Sequence, residues 1–246
     1  MRIVHKIALL SLVGSSLLQG CAQIQLNKPT DALFRGGEQS FRNGNYEDAI
    51  AQWKKVKESY PSPELSARTE INIAEAYYLH KDYIEAAAEY ESFRKLHPNN
   101  EWAEYALYRQ GMSYYQQING IDTDQTPVKN TLAIFESYRK LYPNGPHLAE
   151  VGEKIRDCLD KQLQYEIYVG RFYFRTGMYP AAIARLEAAL KAFPGLPHGD
   201  ELLFYLGQSY LKGGQKDKGR ETLERLQREY SSSAFAPESK KIIGKL

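Results

Sequence analysis

Asp82-Tyr83-Ile84-Glu85-Ala86, running through a helix-length stretch to His97-Pro98, decides the fold, because the chain says it again and again. Asn45-Tyr46-Glu47-Asp48-Ala49 runs to Tyr60-Pro61, the stretch from Val128 ends in Tyr142-Pro143, and Tyr179-Pro180-Ala181-Ala182 runs to Phe193-Pro194. Each is closed by an aromatic-type residue and a proline, which cannot continue a helix interior. Upstream of each lies a second helical pattern with a small residue near its middle. These residues are Gly37, Ala74, Gly111, Gly170 and Gly207, at spacings of 37, 37, 59 and 37. Their partners on the second helix are Ala49, Ala86, Thr131, Ala182 and Gly219. Two helices approach to about 8 Å only where small side chains meet. A recurring motif of this period predicts stacked helix pairs in which no pair buries its apolar face alone.

This spacing of small residues is the signature of the tetratricopeptide repeat, and the large positions fit it. Tyr77, Tyr114, Tyr173 and Tyr210 follow three residues after the first small position, with Ser40 the exception. Trp53, Tyr90, Phe135, Leu186 and Leu223 follow four residues after the second, and are expected to interlock with the next pair. Asn45 and Asp82 stand at helix N-cap positions with Asp48 and Glu85 three residues on, the pattern of a capping box. The fold expected is all-α: a solenoid of five helix pairs with a long connecting helix and a C-terminal capping helix.

Two departures from the period divide the chain. Eight extra residues separate the helices of the third pair, an enlarged polar turn over about 119–126. Fourteen more than usual lie between Pro143 and Gly170, nearly four helical turns or about 21 Å. Val151, Ile155, Cys158, Leu159, Leu163, Ile167 and Gly170 keep a helical stripe through them. One helix over 147–175 is therefore expected, joining a front half of three repeats (31–146) to a back half (147–246) of two repeats. The back half is expected to end in a capping helix over 234–246 with a basic tail (Lys240, Lys241, Lys245).

The N-terminus reads as a targeting segment. Arg2 and Lys6 precede an apolar run over 7–18, too short to span a bilayer, which needs about 20 residues. Leu18-Gln19-Gly20-Cys21 then resembles a bacterial lipobox, with Gln19 its unusual member. The resemblance implies that residues 1–20 are a lipoprotein signal peptide, that cleavage precedes Cys21, and that Cys21 carries the lipid (palmitate among its acyl chains). Each buried CH₂ contributes about 0.8 kcal/mol, so several chains anchor where one would not. Residues 21–30 are then a tether, and Ala22, in place of the aspartate that retains many such proteins at the inner membrane, points to the periplasmic face of the outer membrane.

Losing residues 1–20 removes two basic residues and leaves thirty Lys and Arg against thirty Asp and Glu. Basic and acidic residues alternate along every helix, without the one-sided basic face of a nucleic-acid binder. Chemistry is sought without success. His5, His80, His97, His147 and His198 make no metal pair at helical spacing, and His97 fills the slot of Tyr60, Tyr142 and Phe193. Gly213-Gly214-Gln215-Lys216 lacks the ending and the preceding strand of a phosphate loop and is read as a turn. Cys158, set among Ile155, Leu159 and Leu163, reads as a buried thiol rather than a nucleophile. No enzyme and no cofactor are expected beyond the lipid on Cys21.

Surface remains. In this fold the first helix of each pair lines the concave side, and four residues after its small position stand Phe41, Tyr78, Tyr115, Phe174 and Leu211. With Phe34, Arg68, Ile71, Tyr105, Tyr108 and Met112, the front members predict an aromatic groove, although any of them could instead pack against a neighbouring helix. The 19 tyrosines suit protein contact, since tyrosine offers a large amphipathic area at low entropy cost.

At this point the sequence resembles the BamD family, repeat lipoproteins of the outer-membrane β-barrel assembly machinery. The resemblance covers Asp31 to about Lys212. It rests on the lipobox a few residues before the first repeat and on Phe93-Arg94-Lys95-Leu96-His97-Pro98 leading to Tyr105-Ala106-Leu107-Tyr108-Arg109-Gln110-Gly111. It rests also on Tyr142-Pro143-Asn144 and on a long helix through Asp160 and Glu166 to Arg175-Thr176-Gly177. The turn Asp122-Thr123-Asp124 departs from the family's Asp-Arg-Asp. The resemblance implies docking of the back repeats on a POTRA domain of BamA, contact with the other lipoproteins of that machinery, and a front half that engages unfolded β-barrel proteins. Arg185 matches the arginine that family members present to BamA. A Tol-Pal or cell-division repeat scaffold is the other reading; those usually carry a coiled-coil segment before the repeats, and none is seen here.

Overall fold

The computed structural model describes residues 28–195 and 197–246; the signal peptide, the lipobox and Cys21 lie outside them. Among the described residues there are eleven helices and no strand. In chain order they are α1 (Lys28–Arg42), α2 (Tyr46–Glu58), α3 (Pro63–His80), α4 (Tyr83–Leu96), α5 (Ala103–Gln116), α6 (Thr126–Leu141), α7 (Leu148–Arg175), α8 (Tyr179–Ala192), α9 (Gly199–Lys212), α10 (Lys216–Glu229) and α11 (Ala236–Ile243). Each helix packs on its sequence neighbours, α1 on α2 through to α10 on α11. This is an all-α tetratricopeptide solenoid of five pairs with a capping helix. Helix α1 begins at Lys28, inside the stretch read from sequence as tether.

The small residues work as the spacing predicts. Gly207 and Gly219 face each other closely: a Cβ on Gly219 would stand 3.0 Å from the Gly207 carbonyl. The large second-helix groups fill the space over the glycine of their own pair, Trp53 over Gly37, Phe135 over Gly111, Leu186 over Gly170 and Leu223 over Gly207. They also interlock with the next pair: Trp53 shares a cluster with Ile73 and Ala76 of α3, Phe135 with Val151 and Ile155 of α7, and Leu186 with Leu202 and Leu206 of α9. Trp53 and Phe135 are almost wholly buried there. The first helix adds polar contacts to the joint between pairs. Tyr77 receives a hydrogen bond from Lys54 of α2 at 2.8 Å, and the Tyr210 hydroxyl donates to Glu187 of α8.

The capping boxes are corrected. Asn45 and Asp82 occupy the N-cap positions of α2 and α4, yet neither side chain caps its helix. Asp82 instead lies 2.8 Å from Nδ1 of His80. Ser62, before Pro63, is the residue whose side chain does cap, accepting from the Leu65 N–H at 3.3 Å.

Three positions on the first helix receive the second helix of the preceding pair. They are the residues five and one before the small position and two after it. In α3 these are Thr69, Ile73 and Ala76, in α5 Ala106, Gln110 and Ser113, and in α9 Leu202, Leu206 and Ser209, all buried. Helix α7 carries this triad twice. Its first copy, Val151, Ile155 and Cys158, is buried, and Val151 and Ile155 share a core cluster with Phe135 and Tyr138 of α6. Fourteen residues on, in the register set by Gly170, stand Tyr165, Val169 and Phe172. Tyr165 and Val169 are half-buried and Phe172 is 55% exposed. The insertion has slid α6 about 21 Å along α7, so no described helix seals the second triad.

Candidate functional site

Two surfaces follow from this architecture. The first is the front groove, and the structure divides its expected members. Phe34, Ile71, Tyr108 and Met112 are buried in core clusters, so their side chains pack the repeats and are not open surface. Phe41 is half-buried against Tyr46 and Trp53. Arg68 is more open, its guanidinium over the Phe34 ring at 5.0 Å and 3.5 Å from Glu38. Tyr78, Tyr105 and Tyr115 are half-buried and anchored. Arg109 stacks on Tyr78 at 3.4 Å, the Tyr105 hydroxyl donates to Glu75 at 3.0 Å, and the Tyr115 hydroxyl donates to Asp157 of α7 at 2.8 Å. Burial pushes the Tyr105 and Tyr115 phenols up to about 12, with the neighbouring carboxylates adding to it, so both stay neutral donors.

What the residue pattern did not disclose is the polar frame behind these rings. Glu75 of α3 accepts two bonds from Arg109 of α5, at 2.6 and 3.2 Å, and one each from Tyr90 and Tyr105. A forked guanidinium–carboxylate pair of this kind fixes geometry as well as charge, and here it ties three helices together. A second frame closes the front half onto α7. His147, the N-cap residue of α7, stacks on Tyr108 with ring centroids 3.9 Å apart, and its Nδ1 lies 3.0 Å from Glu104. The Tyr108 hydroxyl donates to Glu150 at 2.8 Å. Acidic residues on these helix faces carried no sequence signal separating such anchors from solvated charges.

The second surface is the back-half cleft. Arg185 on α8 donates to Glu166 of α7 at 3.0 Å, and its guanidinium lies 5.7 Å from the Tyr165 ring. It is partly exposed, as its place beside buried Leu186 implies. The enlarged turn after α5 closes this cleft from the other side, so that Thr123, Asp124 and Lys129 line one space with Glu166, Arg185 and Phe193. The Asp124 carboxylate accepts from the Thr126 N–H and hydroxyl at 2.9 and 2.8 Å, which holds it below the usual carboxylate range. Three features that stand apart in the sequence thus meet beside the uncovered second triad. Phe172, Tyr168 and Met178 lie exposed on the same half.

Contrast with the first repeat shows what this openness means. No described helix precedes α1 in the stack either, and its triad is Ala32, Gly36 and Gln39, small and polar, as the end of a solenoid must be. A triad of Tyr165, Val169 and Phe172, half-buried at the first two and open at the third, is not an end of that kind. A family described as an outer membrane lipoprotein, YfiO, matches residues 26–226. Relatives named outer membrane protein assembly factor BamD match alongside it. The chain belongs to the BamD family of outer-membrane lipoproteins. The Caulobacter vibrioides protein is 28% identical over 193 residues, which are 78% of this chain and 63% of that one, so this chain spans under two thirds of it. The Vibrio cholerae protein is 25% identical and is covered for 95% of its length, against 88% of this chain. The Rickettsia prowazekii protein is 27% identical, with 84% of this chain and 82% of that one aligned. Among solved structures, MamA from Desulfovibrio magneticus overlaps 85% of this chain and 99% of its own at 15% identity and a TM-score of 0.44. The TPR2AB domain of yeast Sti1 overlaps 88% and 98% at 13% and 0.45. That overlap is loose, and the fold stands on the helix pairing described above.

The described residues hold no group of three His, Cys, Asp or Glu placed to bind a metal ion. None of their helices is long and apolar enough to cross a membrane. Cys158 is fully buried, and burial pushes its thiol up to about 12, with Asp157 adding to it.

Proposed function

We propose that this chain is a non-catalytic subunit of the outer-membrane β-barrel assembly machinery, held at the periplasmic face by lipid on Cys21. The names of its relatives support a role in outer-membrane protein assembly. In this reading the back half docks on a POTRA domain of BamA, the other lipoproteins of the machinery join the complex, and the front half receives unfolded β-barrel proteins for folding and insertion. The observation that carries the docking is the second triad of α7. A triad of large apolar side chains, half-buried at Tyr165 and Val169 and open at Phe172, lies beside Arg185, where the solenoid places a helix in three of its other pairs. Aromatic and arginine side chains are the groups that dominate interface energetics.

Arg185 enters this docking already paired with Glu166. An acidic partner group therefore competes with Glu166 or joins it around one guanidinium. Removing one member of a desolvated charge pair at an interface costs about 2–5 kcal/mol. The test is titration of the purified POTRA domains of BamA against the mature chain carrying Arg185→Glu or Phe172→Asp. Both variants are expected to weaken binding by at least tenfold while leaving the melting temperature in place. A paired Tyr78→Ala, Tyr115→Ala variant is expected to lose unfolded-barrel peptide and keep the POTRA domains. Equal loss of both partners in every variant, at unchanged stability, would sink the division into two surfaces.

A further inference from the structure

We propose that the loop carrying Tyr60 rests on the phospholipid surface of the membrane to which Cys21 is anchored, so that this end of the first repeat faces the bilayer. The inference rests on the lipid anchor proposed above. Five residues of aromatic type close the second helices: Tyr60, His97, Tyr142, Phe193 and Tyr230. Four of them share one conformation, with φ between −134° and −125°. Three of these four can be seen to turn back onto the protein. His97 packs 5.1 Å from Phe93 and lies 3.1 Å from Glu70, Tyr142 packs 5.5 Å from Tyr138, and the Tyr230 hydroxyl fills the space against Gly199. Tyr60 does the opposite. Its φ is +51°, a region that a residue with a Cβ rarely adopts, and it is 95% exposed.

The position of this loop says what it meets. The Thr30 hydroxyl donates to that of Ser59 at 3.1 Å, which fixes the loop against the first turn of α1. Seven peptide steps separate Cys21 from Lys28. Fully extended they reach about 25 Å, and as a flexible chain about 15 Å. Once acyl chains on Cys21 enter the bilayer, the start of α1 is confined within that distance of it, and the Tyr60 loop lies beside the first turn of that helix. Tethering over so short a span gives an effective concentration in the millimolar range. A contact too weak to hold the free protein is then populated. Tyrosine has the side chain for it, an amphipathic ring that sits at headgroup level. The adjoining end of the stack offers Ala32, Gly36 and Gln39, which form no apolar seat for another protein's helix.

The experiment uses the lipidated mature chain on phosphatidylethanolamine–phosphatidylglycerol vesicles, with and without bromine-labelled acyl chains. Tyr60→Trp and Met178→Trp are compared, the second position being 53% exposed in the back half. The parent protein supplies the background from Trp53 and Trp102. Bromine is expected to quench the indole introduced at position 60 several-fold more than the one introduced at position 178. Quenching of neither, or of both alike, on vesicles that still carry the protein to the top of a flotation gradient overturns the contact and leaves the anchor intact. Failure of the lipidated chain to float overturns the anchor itself and the contact with it. Protection of the indole at position 60 only after the BamA POTRA domains are added, and never by lipid alone, overturns the contact in favour of a protein partner.

Discussion

Helix α7 carries one pattern twice, and the two copies have opposite fates. Val151, Ile155 and Cys158 are buried, the first two in one cluster with Phe135 and Tyr138 of α6, whereas Tyr165, Val169 and Phe172 lie fourteen residues on with no described helix sealing them. The residues of the two sets are similarly apolar. What differs is the register of the preceding helix, moved along by an insertion of nearly four turns. A solenoid pair cannot bury its apolar face alone. The difference assigns the first triad to stability, and the second is the one on which the proposed docking rests.

The sharpest way to break this comparison is to put a charge in each triad. Ile155→Asp buries a carboxylate with no cation facing it. Burying an unpaired charge is strongly destabilising, at about 3–5 kcal/mol or more. The expected outcome is loss of the cooperative thermal transition by circular dichroism, or a very large fall in its midpoint. Phe172→Asp, on a side chain already half in water, is expected to move the midpoint by no more than a surface change does, about 0.5 kcal/mol. If Phe172→Asp melts as badly as Ile155→Asp, the second triad is covered within the chain and the docking reading loses its support.

A smaller effect sharpens the contrast between the halves. A Cβ on Gly111 would stand 2.3 Å from the Phe135 ring, and one on Gly170 2.6 Å from Leu186. Both side chains are fully buried, but the Phe135 ring is the bulkier and stiffer group and would be met more closely. Overpacking costs about 1–3 kcal/mol. Gly111→Ala is expected near the top of that range and Gly170→Ala near the bottom, as read from urea midpoints at constant m-value. Equal losses would mean that the two cores are equally stiff.

Below these comes the polar frame. Glu75→Ala removes the acceptor shared by Arg109, Tyr90 and Tyr105, each well shielded from water. Hydrogen bonds to charged groups contribute about 1.5–3 kcal/mol. The back-half counterpart, Glu201 with Arg171, is a single contact at 3.1 Å between more open side chains. Glu201→Ala is expected to cost under about 1 kcal/mol. The pair of melts should rank Glu75 well ahead, and a reversed rank would deny the front half its tighter frame.

The repeat pattern made the helix pairs, the long helix and the turn legible before any coordinate, because small residues at fixed spacing are a geometric demand that few folds share. One local reading failed for a physical reason. A capping residue announces a position, but Asp82 found a better partner in His80 and left its helix uncapped. The interlock expected of Trp53 and Phe135 is present, and the same rings also fill the hollow that a glycine leaves on the facing helix. For the groove, the pattern could name the concave-side residues but not their depth. Phe34 and Tyr108 lie under neighbours whose distance in sequence hides them, and Glu75 is indistinguishable along the chain from a solvated carboxylate. The second triad was legible as fourteen surplus residues. Its openness was not, since register against α6 is a property of packing.

The least perturbing test reads the two triads through a single atom. Cys158 closes the first triad, fully buried, with its thiol pushed up to about 12. A thiol reacts as its thiolate. With the folded-state value raised, the neutral form persists through the whole physiological range, and at pH 8 only about one part in ten thousand is ionised. Alkylation of Cys158 by iodoacetamide is therefore expected to be governed by opening of the core that buries this face of α7. In the native chain its rate should be lower than that of the urea-unfolded chain by several orders of magnitude. Occupation of the second triad by a partner should leave it almost unchanged, since that triad lies about 21 Å along the helix. Ile155→Ala should raise it and Phe172→Ala should not. If Phe172→Ala or partner binding accelerates the reaction as much as Ile155→Ala does, the two triads are coupled through α7, and the helix transmits docking at the back half into the packing of the front.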